Sequence, residues 1–366
     1  MSPIRPNRKA PPGIPARTTA TGPRAQPMIG DLPTRRTSRL RRLRQRQWSA
    51  AQRAVVIAIV ATVMGCLFIT TYSLALGDPM PHRIDAALVG DRTAHPRTVD
   101  AVEGVARDHV VLRRYSSVPA ALHAIDQQHV YAALDLTSTR PTLYVASAAG
   151  ASVARLLERT SAVDPTVRVL DTRPLAANDP NGLDLFYRML VATIIGFITV
   201  FQVLAQAGPL APRHHAAFVL GLAVAASLAL TLVGGVLLHG LAASDPEEWA
   251  ILALHLLAVA SFTSLMAVLS GRWAILPTWL FFVILGNTSS GGAVSAPLLP
   301  PPFALISQWL PSGATVTALR DAVYFPDHQP VHPIAVLAIW AAVLFVAWLT
   351  VARRREASAS APPAAT

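Results

Sequence analysis

The residues able to do chemistry are few. The chain has 366 residues, one cysteine and eleven histidines. Cys66 sits inside an apolar run, so no intrachain disulfide and no cysteine-based metal site can form. The only lysine, Lys9, is followed by Ala10 and Pro11. A phosphate-binding P-loop needs a glycine-rich turn ending in Lys-Ser or Lys-Thr. The chain therefore carries no Walker-type ATPase, and an ATP-driven role would need a separate subunit. Neither G-x-S-x-G nor H-E-x-x-H occurs. The chain reads as not an enzyme, with no cofactor, no metal and no catalytic set.

The most informative stretch is Leu285 to Phe325. A turn from Gly286 to Gly292 contains Asn287, Ser290 and Gly291; four prolines lie between Pro297 and Phe303; a third run goes from Leu310 and Pro311 through Arg320 to Tyr324. Ser312 reads as the N-cap of a helix from Gly313 to Tyr324, with Val316, Leu319, Ala322 and Val323 on one face. Paired glycines and serines end a helix at membrane depth, where irregular backbone must be buried in protein or line a cavity. The expectation is a broken span followed by two short helices dipping into the outer leaflet; the plainer reading is an ordinary outer loop. Ionisable groups inside spans are the other candidates, and here His255 stands out, as a relay or as a hydrogen-bonded interhelical histidine. The transport-pathway candidates are Asn287, Ser290, Gly291, Gly292, Pro297, Pro311, Arg320, Tyr324 and His255. Asp184 and Arg188, one helical turn apart, read as a local ion pair.

The elements that must position these residues are apolar. Hydrophobic residues make up 52% and charged residues 14%, against about 25% charged in soluble domains. Uncharged runs of spanning length are read over Ala54–Leu76, Met189–Ala211, Ala216–Ala242, Trp249–Ser270 and Pro333–Val351. A run from Trp273 to Gly286 begins a further span that breaks up. The fold expected is an α-helical integral membrane protein with six transmembrane helices and an α/β extracytoplasmic domain inserted between spans one and two. Its parts are a basic tail (1–53), transmembrane helix 1 (54–76), the α/β domain (77–183), a five-helix transmembrane domain (184–352) with a re-entrant outer segment (287–325), and a tail (353–366).

The net charge of +11 is a property of the tail. Residues 1–53 hold thirteen basic residues against the single acid Asp31. Residues 1–37 read as disordered, and 38–53 as an interfacial helix on anionic lipid or a disordered basic flank. Nucleic acid is not an expected partner. Span one reads as a retained anchor, because signal-peptide apolar regions run about 7–15 residues.

From Gly77 to Gly182, eleven Arg alternate with twelve Asp and Glu. Strand-like runs lie at Ile84–Val89, Val110–Tyr115, Val130–Leu136, Thr142–Ala146 and Val167–Leu170, with helical stretches at Val99–Arg107, Val118–Gln128 and Ala151–Ala162. That alternation predicts a small α/β domain. Arg213, Arg272 and the triplet Arg353 to Arg355 place their flanks inside by the positive-inside rule, so both termini are expected to be cytoplasmic and the protein to lie in the plasma (inner) membrane.

One span, an outer α/β domain and then five spans resembles the permease subunits of type-2 ABC exporters. The Gly286–Gly292 turn, Pro297 to Phe303, and the run Leu310-Pro311, Ala318-Leu319-Arg320, Tyr324-Phe325 resemble more closely the YhgE/Pip (phage infection protein) and nitrosoguanidine-resistance branch. The resemblance covers residues 50–352 and implies re-entrant outer helices after span five, a homodimer or paired permease, and a separate ATP-binding subunit. The loop between spans two and three, Gly208 to His215, is short for a coupling helix to such a subunit. The function expected is a permease moving amphipathic or lipid-like cargo outward. The alternative is a non-transporting membrane protein whose outer domain binds an envelope component or partner. Membrane lipids are partners on either reading. Ala192, Gly196, Gly221, Ala225, Gly234 and Gly235 are the small residues expected to allow close helix packing.

Overall fold

The computed structural model describes residues 49–208, 210–237, 246–328 and 331–360. The tail 1–48, with most of the 38–53 helix, lies outside the described residues, as do His239, Asp245 and residues 361–366. Helix α1 is Ala50–Leu76. It is apolar on every side, and within residues 59–76 it presents Phe68 and Tyr72, stacked at 4.0 Å, with Phe68 stacked at 5.7 Å on Trp279.

A five-stranded sheet follows, in the order β2-β1-β3-β4-β5. Its strands are β1 Ile84–Val89, β2 Val110–Arg114, β3 Ala132–Asp135, β4 Thr142–Val145 and β5 Arg168–Asp171. The β1–β2, β1–β3 and β4–β5 pairs are parallel, and β3–β4 is antiparallel. Parallel neighbours need crossovers. These are α2 (Pro96–Val105), α3 (Val118–Asp126), and the pair α4 (Ala151–Glu158) and α5 (Thr160–Val163). Helix α3 starts where Ser117 Oγ accepts from Ala120 N at 3.3 Å, an N-cap followed by Pro119 in the first turn.

Side chains alternate across the strands, which gives two cores. Ala86, Leu88, Leu134 and Leu143 pack with Val99 and Val102 of α2 and with Val153 and Leu157 of α4. Ala87, Val89 and Ala133 face the other way, onto Ala121, Ala124 and Ile125 of α3. Each core is completed from far along the chain, the first by Leu298 and the second by Phe325.

The rest is helical: α6 Asp184–Gln206, α7 Pro212–Leu232 with a π-helical turn Val233–Leu237, and α8 Pro246–Ser270. Helix α9, Ile275–Thr278, runs into a π-helix at Trp279–Gly286. Helices α10 (Pro301–Ser307), α11 (Pro311–Tyr324) and α12 (Val331–Ser360) complete the chain. Helices α1, α6, α7, α8 and α12 are long and apolar enough to cross a membrane. The protein is therefore a helical, multi-pass membrane protein.

Where six spans were expected, the described residues hold five of spanning length and one shorter apolar helix, Ile275–Gly286. A helix of that length reaches less than the roughly 30 Å of a bilayer core. Hydroxyls near its end bond carbonyls of the preceding turn, and the chain then leaves the helix at a left-handed glycine. Thr288 Oγ1 donates to Ile284 O at 2.6 Å, Ser290 Oγ donates to Asn287 O at 2.8 Å, and Gly291 then takes φ +72°.

Helix α8 is the bundle's centre: 56% of its span is buried, against 0% for α1. At its middle, His255 Nε2 meets Thr193 Oγ1 of α6 at 2.8 Å and Nδ1 meets Thr315 Oγ1 of α11 at 2.8 Å. Of the small residues expected to pack, Gly196 lies under Val259, where a Cβ would come 2.8 Å from Cγ1. Gly221 and Ala225 are exposed along α7, and a Cβ on Gly221 would meet nothing within 4 Å among the described residues. Helix α11 begins at Pro311, two residues before the expected Gly313. Leu310 is its N-cap and Ser312 makes no cap hydrogen bond. Proline at the first helical position has its φ already set, and it outcompetes the serine.

Candidate pathway site at the broken span

The turn after Ser290 is held from several sides. Ser290 Oγ accepts from Gly292 N at 3.3 Å. From α11, Arg320 Nη2 donates to Gly291 O at 3.1 Å. Gly292 lies against Phe186 of α6, where a Cβ would sit 2.8 Å from Cδ2 and 2.9 Å from the Phe186 Cβ. The two glycines thus serve different needs: Gly291 a left-handed backbone, Gly292 a close approach.

Beyond the turn the chain reaches the sheet. Ser152 Oγ, at the start of α4, accepts from Ser295 N at 2.9 Å and lies 2.7 Å from Ser295 Oγ. His82 N, just before β1, donates to Pro297 O at 3.0 Å. These contacts close a cavity of about 40 Å³ around Gly291, Gly292, Arg320 and Tyr324. Its other wall includes Ser152, Arg155 and Asp179. That volume holds a water or two and excludes any organic cargo. Arg155 is occupied by Pro180 O at 2.9 Å and Asn181 Oδ1 at 3.0 Å, and Asp179 accepts from the amides of Leu183 and Asp184 at the start of α6.

At the far end of α11, the Tyr324 hydroxyl lies at the Ala176 amide, and burial pushes it up to about 12. Asp321 is 1% exposed and is held by the Gln128 amide at the end of α3. Burial raises its carboxyl to about 6; the Gln128 hydrogen bond and Arg320 pull it back, and Glu247 adds to the rise. Next along, Phe325 enters the sheet's second core while Arg173 sits over its ring at 6.0 Å and bonds Asp126 at 2.8 Å.

Four of the nine candidates converge on the cavity: Gly291, Gly292, Arg320 and Tyr324. Ser290 shapes the turn without lining it. Asn287 is buried on the side of the Tyr72 hydroxyl of α1. Pro297 contacts the sheet domain, and Pro311 accepts from Thr315 Oγ1 at 2.7 Å. His255 is a brace between three helices, away from the cavity. A neutral imidazole has one N–H and one lone pair, so one threonine accepts from it and the other donates to it.

The local pair read at Asp184 and Arg188 is larger than expected. Arg188 Nε donates to Asp184 Oδ2 at 2.9 Å, and Nη1 bonds Glu248 of α8. Gly234 of the π-helical turn packs on the same guanidinium, where a Cβ would lie 2.6 Å from Cζ. One signal for this was available: an arginine inside an apolar run needs a carboxylate, and Glu248 opens the next apolar run but one. No such signal marks Leu298, Phe325 or Gln128, whose partners lie more than a hundred residues away.

Comparison with family models, with characterised proteins and with solved structures finds no match for this chain.

Proposed function

We propose that this protein is an exporter-type permease that moves amphipathic or lipid-like cargo outward across the plasma membrane, with any energy supplied by a separate ATPase. On this reading the sheet domain is extracytoplasmic, both termini are cytoplasmic, the segment 275–288 with its break serves as a sixth, interrupted span, and two copies face each other. The observation that carries it is α11. This helix has 14 residues, too few to span, yet Pro311 to Val316 are all buried and it packs against α6, α8 and α12. A half-length helix inside a bundle, entered through a broken helix, is the arrangement that membrane proteins use where a pathway interrupts a span. Transport on this reading requires the closed cavity to open, so that α11 and the sheet domain separate around Gly291 and Arg320.

The tight closure favours a second reading, a non-transporting membrane protein whose outer domain binds an envelope component. One experiment separates the two. Ser152 Oγ and Ser295 Oγ lie 2.7 Å apart, so cysteines at both positions, with Cys66 replaced by serine, would bring two sulfurs within reach of each other. Oxidation should abolish efflux of fluorescent amphipathic compounds from cells or vesicles, and a reductant should restore it. Full efflux from the cross-linked protein would exclude opening at this seam. Absence of efflux from the parent under every energy source tried would favour the binding reading.

A further inference from the structure

A second, larger cavity lies at the opposite end of the bundle, away from the sheet. It measures about 660 Å³. Its walls come from the last turns of α6 (Phe201, Leu204), the start of α7, the end of α8 (Ala267, Val268), and Trp348 of α12. This is the size of a small-molecule pocket, and the lining is mainly apolar, as such pockets are.

Its polar features are few. His215 Nε2 lies 2.9 Å from Ser264 Oγ, and Ser264 donates to Ala260 O at 2.7 Å. Ser264 therefore accepts from the imidazole, and that pair is satisfied within the protein. Arg272 is different. It lines the cavity, is exposed, and makes no ion pair among the described residues; its guanidinium lies 5.7 Å from the centre of the Trp273 ring. Gly271, at φ +57°, turns the chain out of α8 so that Arg272 reaches the cavity.

The charge around it is mainly positive. Arg213 and the triplet Arg353 to Arg355 are at this same end, with the exposed Glu356 directly after the triplet. The sequence has no Asp or Glu from 185 to 244, from 249 to 320, or from 331 to 355. An apolar chamber with a guanidinium at its rim that no carboxylate pairs among the described residues is complementary to an amphiphile with an anionic head. A free phosphate ion would find no donor inside the apolar walls, and a zwitterionic head would gain less from Arg272. From these observations we infer that this cavity is a binding site for an anionic glycerophospholipid, its acyl chain in the chamber and its phosphodiester on Arg272. The inference is independent of transport, because lipid retention is read without it.

The test uses the full chain, stripped of lipid in detergent and then offered phosphatidylglycerol and phosphatidylcholine of equal chain length. Native mass spectrometry should show one phosphatidylglycerol retained per chain. A charge-assisted hydrogen bond should make the preference over phosphatidylcholine about tenfold. Arg272→Ala should bring that preference close to one, and Arg272→Lys should keep part of it. Ala267→Trp should lower binding of both lipids by filling the chamber. Should that variant misfold, brominated acyl chains on phosphatidylglycerol should quench the unaltered protein more than Trp348→Phe. An unchanged preference in Arg272→Ala, inorganic phosphate displacing the lipid, or equal quenching in the parent and Trp348→Phe would each overturn the inference. So would a stripped protein that binds no lipid because a second copy fills the chamber.

Discussion

At the residue scale, the two glycines of the break make separable predictions. Gly291→Leu places a side chain at φ +72°, where the penalty is about 1 kcal/mol or more, and Gly292→Leu collides with Phe186. On the permease reading, both should reach the membrane at reduced or normal levels and lose efflux; parent-like efflux at normal levels would remove this turn from the proposed mechanism. Asp321 predicts a pH dependence. A carboxyl raised from 3.8 to about 6 binds more protons folded than unfolded. Its contribution is therefore full below pH 3.8 and lost as pH climbs through about 6, a change of about 3 kcal/mol. The groups facing it are Gln128, Arg320, Glu247 and His328. Thermal melts of the detergent-solubilised parent should fall between pH 4 and pH 7 relative to Asp321→Asn. Parallel curves would show that the carboxyl is not buried in solution. The Arg188–Glu248 bond joins two helices where neither group reaches water. Arg188→Met should destabilise by about 3–5 kcal/mol, because it removes the cation bonded to a buried carboxylate, and Glu248→Gln beside it should recover part of the loss.

At the scale of elements, the strands were readable because β-branched runs between charged residues mark them, and all five lie within two residues of where the pattern put them. Helix α11 was readable because apolar residues recur at helical spacing between Pro311 and Phe325. What could not be read was how far the fifth apolar run carries. Composition alone does not distinguish an α-helix from the wider π-helical turns of Trp279–Gly286, nor announce that Thr288 and Ser290 bond the carbonyls of Ile284 and Asn287. The early start of α11 has the same origin: two capping signals, Ser312 and Pro311, sit side by side, and local statistics do not rank them. Trp340 Nε1 donates to Trp309 O at 2.8 Å, which ties α12 to the end of α10. Trp340→Phe removes that bond and should loosen the segment before α11, read as faster proteolysis between residues 296 and 310, with the rest of the bundle unaffected.

At the scale of the whole molecule, the sheet and the helices are one construction. Leu298 and Phe325 stand on opposite faces of the same sheet and bracket α10 and α11 between them. The separation in sequence hid this, since nothing in either apolar side chain names a distant partner. Residues 78–182 expressed alone should show mixed helix and strand by circular dichroism, yet bind a hydrophobic dye more strongly than the same domain within the full chain. In the full chain, Phe325→Ala should destabilise by about 3–5 kcal/mol. The bracket also sets a schedule. Synthesis runs at about 5–20 residues per second, so the last strand leaves the ribosome roughly 10–30 s before Phe325 is made. Until Leu298 is made both faces of the sheet are unfinished, and the three long helices α6, α7 and α8 are made in between. A nascent chain arrested before residue 298 should therefore be a ligand for chaperones and a substrate for proteases. The sheet matures only after most of the bundle has been made, although it is encoded before it.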